Sequence, residues 1–129
     1  MILDTDFLIP LLRKDPTAVA FLQALVEEEQ SIFVTHVNLW ELYQGVFRSK
    51  KMEQNLSDLE DLIQNYEVLP FTQNTDKRFG QLIVKLDAVG TPIGVLDTLI
   101  ASVALENDMV LVTRNVDHFT NTGVQIKSW

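Results

Sequence analysis

The sequence predicts an α/β protein built around a mostly parallel sheet, and three observations point there. Short strand-like runs alternate with longer stretches of helical periodicity along the whole chain, the pattern of consecutive βα units. No linker, repeat or low-complexity segment breaks that alternation. The opening Met1, Ile2 and Leu3 and the later run 109–113 (MVLVT) are unbroken apolar stretches, as strands covered on both faces should be. With 129 residues, 47% of them hydrophobic, the chain suits one domain with a single real core, spanning 1–129.

The elements follow in order. After the opening strand, Asp6 can cap a short apolar helix that contains Pro10 and ends near Lys14. Asp15 then caps a second helix with Pro16 at its first position, and Val19, Phe21, Leu22, Leu25 and Val26 form its stripe. Residues 31–35 (SIFVT) form the second strand. His36 or Asn38 opens a third helix in which Leu39, Trp40, Leu42, Tyr43, Val46 and Phe47 are expected to share the buried face, with Glu41 opposite. An amphipathic helix at 52–65 rests on Leu56, Leu59, Leu62 and Ile63, and a third strand at 67–71 is closed by Pro70. A helix at 72–89 stops at Gly90. Pro92 and Gly94 turn the chain into a helix at 95–106, the strand 109–113 follows, and Gly123 precedes a last strand at 124–127.

Composition excludes several classes. There is no cysteine, which rules out a disulfide framework, thiol catalysis and cysteine-bound zinc and fits a reducing, cytoplasmic setting. Only His36 and His118 are available as histidine ligands. No apolar run approaches the ~20 residues needed to span a bilayer, and the N-terminus lacks signal-peptide features. A formal charge of -8 argues against a broad basic face for nucleic acid. Local basic spots remain at Arg13 and Lys14, at Arg48, Lys50 and Lys51, and at Arg114, where they can either steer phosphates or complement helix C-termini.

The acids stand out by position. Asp4 follows the first strand directly, at the carboxyl end of a sheet where α/β proteins bind ligands. Asp4 could itself cap the helix that follows, but Asp6 immediately precedes the apolar helical run and takes that role more naturally, which frees Asp4 for chemistry. Asp97 shares a helix face with Ile93, Ile100, Ala101 and Ala104, and a carboxylate in an apolar stripe costs several kcal/mol unless a cation or donors compensate it. Glu41 has a solvated-surface reading beside a functional one, and Asp117, in a loop two residues after Asn115, has a turn reading as well. Thr113 and Asn115 lie at the mouth of the fourth strand. Two carboxylates ~4 Å apart repel by roughly 4 kcal/mol at an effective dielectric near 20, so a cluster of them calls for a hard divalent cation.

The segments LDTDFLI, VNLWELYQGV, PIGVLDTLIASVALEN and LVTRNVDHF, in this order and across essentially the whole chain, resemble the PIN domain, specifically the VapC-type toxins of prokaryotic toxin–antitoxin pairs. The resemblance implies a three-layer α/β/α sandwich with a mostly parallel five-stranded sheet. It further implies a Mg2+- or Mn2+-dependent endoribonuclease whose site matches Asp4, Glu41, Asp97 and Asp117, with Thr113, Arg114 and Asn115 in support. Asn115 stands where many relatives carry Asp, so Asp117 is taken as the fourth acid. Asp4 and Asp97 would be direct ligands of the metal. RNA as substrate, a cognate antitoxin and a homodimer are the partners implied, the dimer through the helix of Trp40, Tyr43 and Phe47 or that of Leu56 and Leu59.

The string Asp4-Thr5-Asp6 also resembles the opening motif of haloacid dehalogenase-type phosphatases, in which the first Asp is a nucleophile. That family expects a later lysine and an acidic pair, which Arg114 and Asn115 do not supply. A receiver domain would need an acceptor Asp after the third strand, where Pro70, Phe71 and Thr72 stand. A catalytically inactive, partner-binding domain is a further alternative, against which the survival of all four carboxylates argues.

Overall fold

A computed structural model describes all 129 residues. The elements run β1 (Ile2–Leu3), α1 (Thr5–Leu12), α2 (Pro16–Glu27), β2 (Phe33–Thr35), α3 (His36–Phe47), α4 (Met52–Ile63), β3 (Glu67–Leu69), α5 (Gln73–Ala88), α6 (Val95–Glu106), β4 (Leu111–Val112), α7 (Val116–Phe119), a 3-10 turn (Thr120–Thr122) and β5 (Ile126–Lys127). All strand pairs are parallel, in the order β3-β2-β1-β4-β5. The chain builds outward from β1 to β3, then returns to place β4 on the other side of β1. That reversal opens a crevice at the carboxyl ends of β1 and β4, where the first helices on either side diverge.

Alternation along the strands makes the layers. Ile2 and Leu111 face one core with Leu82, Leu86, Ile100 and Phe119, drawn from α5, α6 and α7. Leu3, Val34 and Val112 face the other, with Phe7, Leu25, Leu42 and Leu59 from α1 to α4. The five-stranded sheet thus lies between two helical layers, as predicted. No helix is long and apolar enough to cross a membrane.

Local signals explain most boundaries. Asp15 caps α2 by accepting from the backbone N–H groups of Thr17 and Ala18, with Pro16 at the first position. After α5, Gly90 takes φ 71°, the left-handed conformation that glycine adopts without penalty. Strands are shorter than the apolar runs that announce them, β4 covering only Leu111–Val112 of the run 109–113.

Three expectations are corrected. The cap of α1 is Asp4, not Asp6: its carboxylate accepts from the Thr5 N–H, and Asp6 lies inside the first turn. On α3 the core face is Val37, Asn38, Leu42 and Val46, while Trp40 and Phe47 are 50% and 60% exposed. The apolar positions of that helix span more of its circumference than one face, and the sheet selects the side that follows from Thr35. The segment around Asp117 is not a plain loop but contains α7, four residues too short to show periodicity and held by the fully buried Phe119.

Candidate active site

Asp4 is the centre of the crevice. It leaves the end of β1, donates its N–H to the Val112 carbonyl at 3.0 Å, and is only 6% exposed. One carboxylate oxygen accepts from the Thr5 N–H at 2.7 Å and the other from the Thr113 hydroxyl at 2.7 Å. Both contacts are dictated by sequence position, since Thr5 begins the helix that Asp4 caps and Thr113 leaves the adjacent strand. Burial pushes the Asp4 carboxyl up to about 6 from its usual 3.8; the two hydrogen bonds oppose this, and the neighbouring charges of Asp6 and Asp97 add to it.

Asp6 forms the floor on the β4 side. Its carboxylate accepts from the Arg114 N–H at 2.7 Å and from the Trp129 indole N–H at 3.3 Å, and stands 3.2 Å from the Thr113 hydroxyl. The Arg114 guanidinium lies 3.4 Å above the Trp129 ring and its Nε donates to the Trp129 carbonyl. Arg114 is therefore held against the indole by a cation–π contact rather than directed at Asp4. The Asn115 N–H donates to the Thr113 oxygen at 3.0 Å, fixing the hydroxyl that serves Asp4.

Glu41 reaches the same region through a polar chain. The Thr5 hydroxyl donates to Glu41, and the Asn38 amide donates to the Thr5 oxygen at 3.1 Å. The Asn38 carbonyl oxygen accepts from the N–H and hydroxyl of Thr35, at 2.9 and 2.7 Å, completing a capping box. Glu41 is half-buried rather than a solvated residue opposite the core. It also lines a groove of about 490 Å3 with Ile9, Arg13, Lys14 and Asp58, so that one of the basic spots borders an acid of the site.

Asp97 sits in the first turn of α6, where the helix N-terminus favours an anion. Its neighbours Ile100, Ala101 and Ala104 are fully buried, as the sequence predicts, while its side chain keeps 23% exposure at the crevice. The compensating group is the imidazole of His118, whose Nδ1 lies 2.8 Å from the Asp97 carboxylate. Asp117, one residue earlier on α7, is exposed. Sequence reasoning missed the contributions of Thr5, Asp6, Asn38, His118 and Trp129. Only His118 carried a usable signal, its place beside an aromatic residue that anchors α7.

No three acidic or histidine side chains stand close enough to share one ion in this arrangement. The donor set nevertheless suits a hard divalent cation: carboxylate oxygens and a hydroxyl, a buried Asp4 whose charge is opposed by Asp6 and Asp97, and no lysine or arginine ion-paired with any of these acids. Fold and site together define an α/β protein with carboxylates gathered at the topological reversal of a parallel sheet. The PIN domain family model matches residues 1–124, and the chain belongs to that family. Ribonuclease VapC2 of Rickettsia felis is 33% identical over 117 residues, covering 91% of this chain and 87% of that protein. A tRNA(fMet)-specific endonuclease VapC of Salmonella typhimurium is 33% identical over 97 residues, covering 74% of each. Among solved structures, a chain of VapBC2 from Rickettsia felis bound to a DNA fragment from its promoter superimposes with a TM-score of 0.92 at 31% identity, covering 99% of this chain and 97% of that one. Membership of this family leaves the phosphatase and receiver alternatives without support.

Proposed function

We propose that the chain is a divalent-metal-dependent endoribonuclease, the toxin of a toxin–antitoxin pair acting in the cytoplasm. The observation that carries this reading is Asp4, a buried carboxylate at the carboxyl end of the central strand, raised in proton affinity by burial and by two further acids and ion-paired with no base. The activities of the relatives, a ribonuclease and a tRNA endonuclease, support RNA as the substrate.

Asp4 and Asp97 would hold Mg2+ or Mn2+, with Glu41 beside them. Bound there, the ion supplies charge against the developing phosphoryl negative charge and lowers the pKa of water. The chain's own residues set the stage. The Thr113 hydroxyl and Thr5 N–H fix both oxygens of Asp4, the Asn38–Thr5 relay fixes Glu41, and Arg13 and Lys14 give a phosphate chain an approach along the groove at Glu41. Asp117 stays in this proposal as the outermost acid, contributing charge from an exposed position. Asp117→Asn is accordingly expected to reduce single-turnover cleavage at saturating Mn2+ far less than Asp97→Asn, yet more than Asn115→Ala, whose backbone N–H to Thr113 survives the substitution. Asp117→Asn indistinguishable from wild type removes that residue from the site.

The formal charge of -8 suits an antitoxin that presents a basic segment, and the VapBC complexes among the structural neighbours support such a partner. A homodimer has an aromatic patch available where the exposed Trp40 and Phe47 meet Phe71 and Tyr43. Light scattering on Trp40→Glu is expected to shift the species toward monomer if this patch is the contact; an unchanged mass moves the interface elsewhere.

The direct test is incubation of the purified protein with a labelled RNA in Mg2+, in Mn2+ and in chelator, with melting curves alongside. Cleavage is expected only with metal, leaving 5′-phosphate ends. Either ion should also raise the melting temperature, because it binds the folded chain and relieves repulsion that the unfolded chain lacks. Absence of both cleavage and stabilisation would defeat the reading.

A further inference from the structure

The contact between His118 and Asp97 goes beyond the four-carboxylate description of the site. Asp97 offers its carboxylate at the start of α6, and the ring of His118 approaches it from α7 with Nδ1 at 2.8 Å from one oxygen. A carboxylate only accepts, so the bond requires the hydrogen on Nδ1. The ring is not a free surface group that happens to fall there. The adjacent Phe119 is fully buried in the core that contains Ile100, Ala101 and Ala104 of α6, so α7 is pinned to the helix that carries Asp97. Behind it, the Thr120 hydroxyl donates to the Val116 carbonyl and the Thr122 hydroxyl to the Phe119 carbonyl, closing the short helix on itself.

We propose that His118 is a positioning residue for Asp97: its Nδ1–H occupies one carboxylate oxygen, fixes the side chain's rotamer and leaves the other oxygen to face the crevice and the cation. The proposal rests on the metal-dependent reading above. It places an imidazole, rather than a further acid, as the partner α7 brings to Asp97. Outer partners of this kind typically contribute 10- to 100-fold to metal affinity by orienting the ligand they touch. Nothing in the core depends on the ring itself, which is 54% exposed, so its removal should spare the fold.

The test is Mn2+ binding by calorimetry to wild type, His118→Ala and His118→Asn, together with nitrogen NMR of the histidine rings in the metal-free protein. The Asn amide can place an N–H near the position of Nδ1. His118→Ala should weaken Mn2+ binding by roughly 10- to 100-fold, with the metal-free protein still folding cooperatively at a modestly lower melting temperature, and His118→Asn should recover most of both losses. The neutral ring of His118 should show its hydrogen on Nδ1, and Asp97→Ala should release that preference. Mn2+ affinity in His118→Ala equal to wild type, or a ring with its hydrogen on Nε2, overturns the assignment. Wild-type protein that binds no Mn2+ at all would instead defeat the metal-dependent reading on which it stands, while the NMR result would still decide whether His118 orients Asp97.

Discussion

Asp4→Asn and Asp97→Asn are each expected to abolish RNA cleavage while leaving the fold intact. The amide keeps the shape of the carboxylate and, at Asp4, its ability to cap α1 through the Thr5 N–H. What it loses is the negative charge that a hard cation requires. Lewis-acid stabilisation of phosphoryl transfer amounts to several kcal/mol, and at about 1.4 kcal/mol per tenfold the loss should be on the order of a thousandfold or more. Single-turnover cleavage of one RNA at saturating Mn2+, with protein freed of host nucleases, measures it. Cleavage within tenfold of wild type in either variant would strike that residue from the site.

The same Asp4→Asn substitution should make the metal-free protein more stable, and the gain should depend on pH in a definite direction. Folding raises the Asp4 carboxyl to about 6 from 3.8, chiefly by burial. Below 3.8 both folded and unfolded chains hold the proton and the group makes no difference. Between the two values the unfolded chain has released its proton while the folded chain still holds it, so stability falls as pH rises; above about 6 the cost is constant. A shift of this size corresponds to roughly 3 kcal/mol. Asn carries no titrating charge, so denaturation of variant and wild type should coincide near pH 3.5 and separate progressively up to about pH 6, with the variant more stable. Part of the gain is offset at Thr113, whose hydroxyl must turn from Asp4 toward Asp6, 3.2 Å away. A variant less stable than wild type at pH 7 in chelator would show that Asp4 is not a desolvated charge.

How much of this was legible in the sequence depends on whether the cause was local. The βα alternation, the Asp15-Pro16 start of α2, the Gly90 stop and the burial of Ile100, Ala101 and Ala104 beneath Asp97 all follow from nearest-neighbour chemistry, and all appear in the structure. The capping choice between Asp4 and Asp6 was not local. Either residue can cap, and what draws Asp6 away is the Arg114 N–H and the Trp129 indole, both more than a hundred positions distant. The face of α3 was misread for a related reason: Trp40 and Phe47 are as apolar as any core residue, yet the direction in which the chain leaves β2 turns Val37 and Asn38 inward instead. The solvated-surface reading of Glu41 came from the same misplaced face, whereas its helix brings it to the Thr5 hydroxyl, in line with the functional reading that the resemblance implied. His118 stood beside the aromatic Phe119, but a four-residue helix has no period to show that its ring turns toward Asp97.

The middle position of β1 in the sheet has a temporal consequence. Asp4 and its strand are made first, but the neighbour on one side, β4, and the Thr113 hydroxyl that fixes Asp4 come 109 positions later. At ribosomal speeds of about 5–20 residues per second, the gap is on the order of ten seconds. For most of that interval the nascent chain can form β1, α1 and β2, yet the centre lacks Asp97, and until its end it lacks the strand that closes the crevice. Contacts this distant in sequence also make the final docking of β4 slow compared with helix formation. A ribonuclease of this topology is thereby built so that the groups meeting at Asp4 stay apart until the ribosome has passed Thr113.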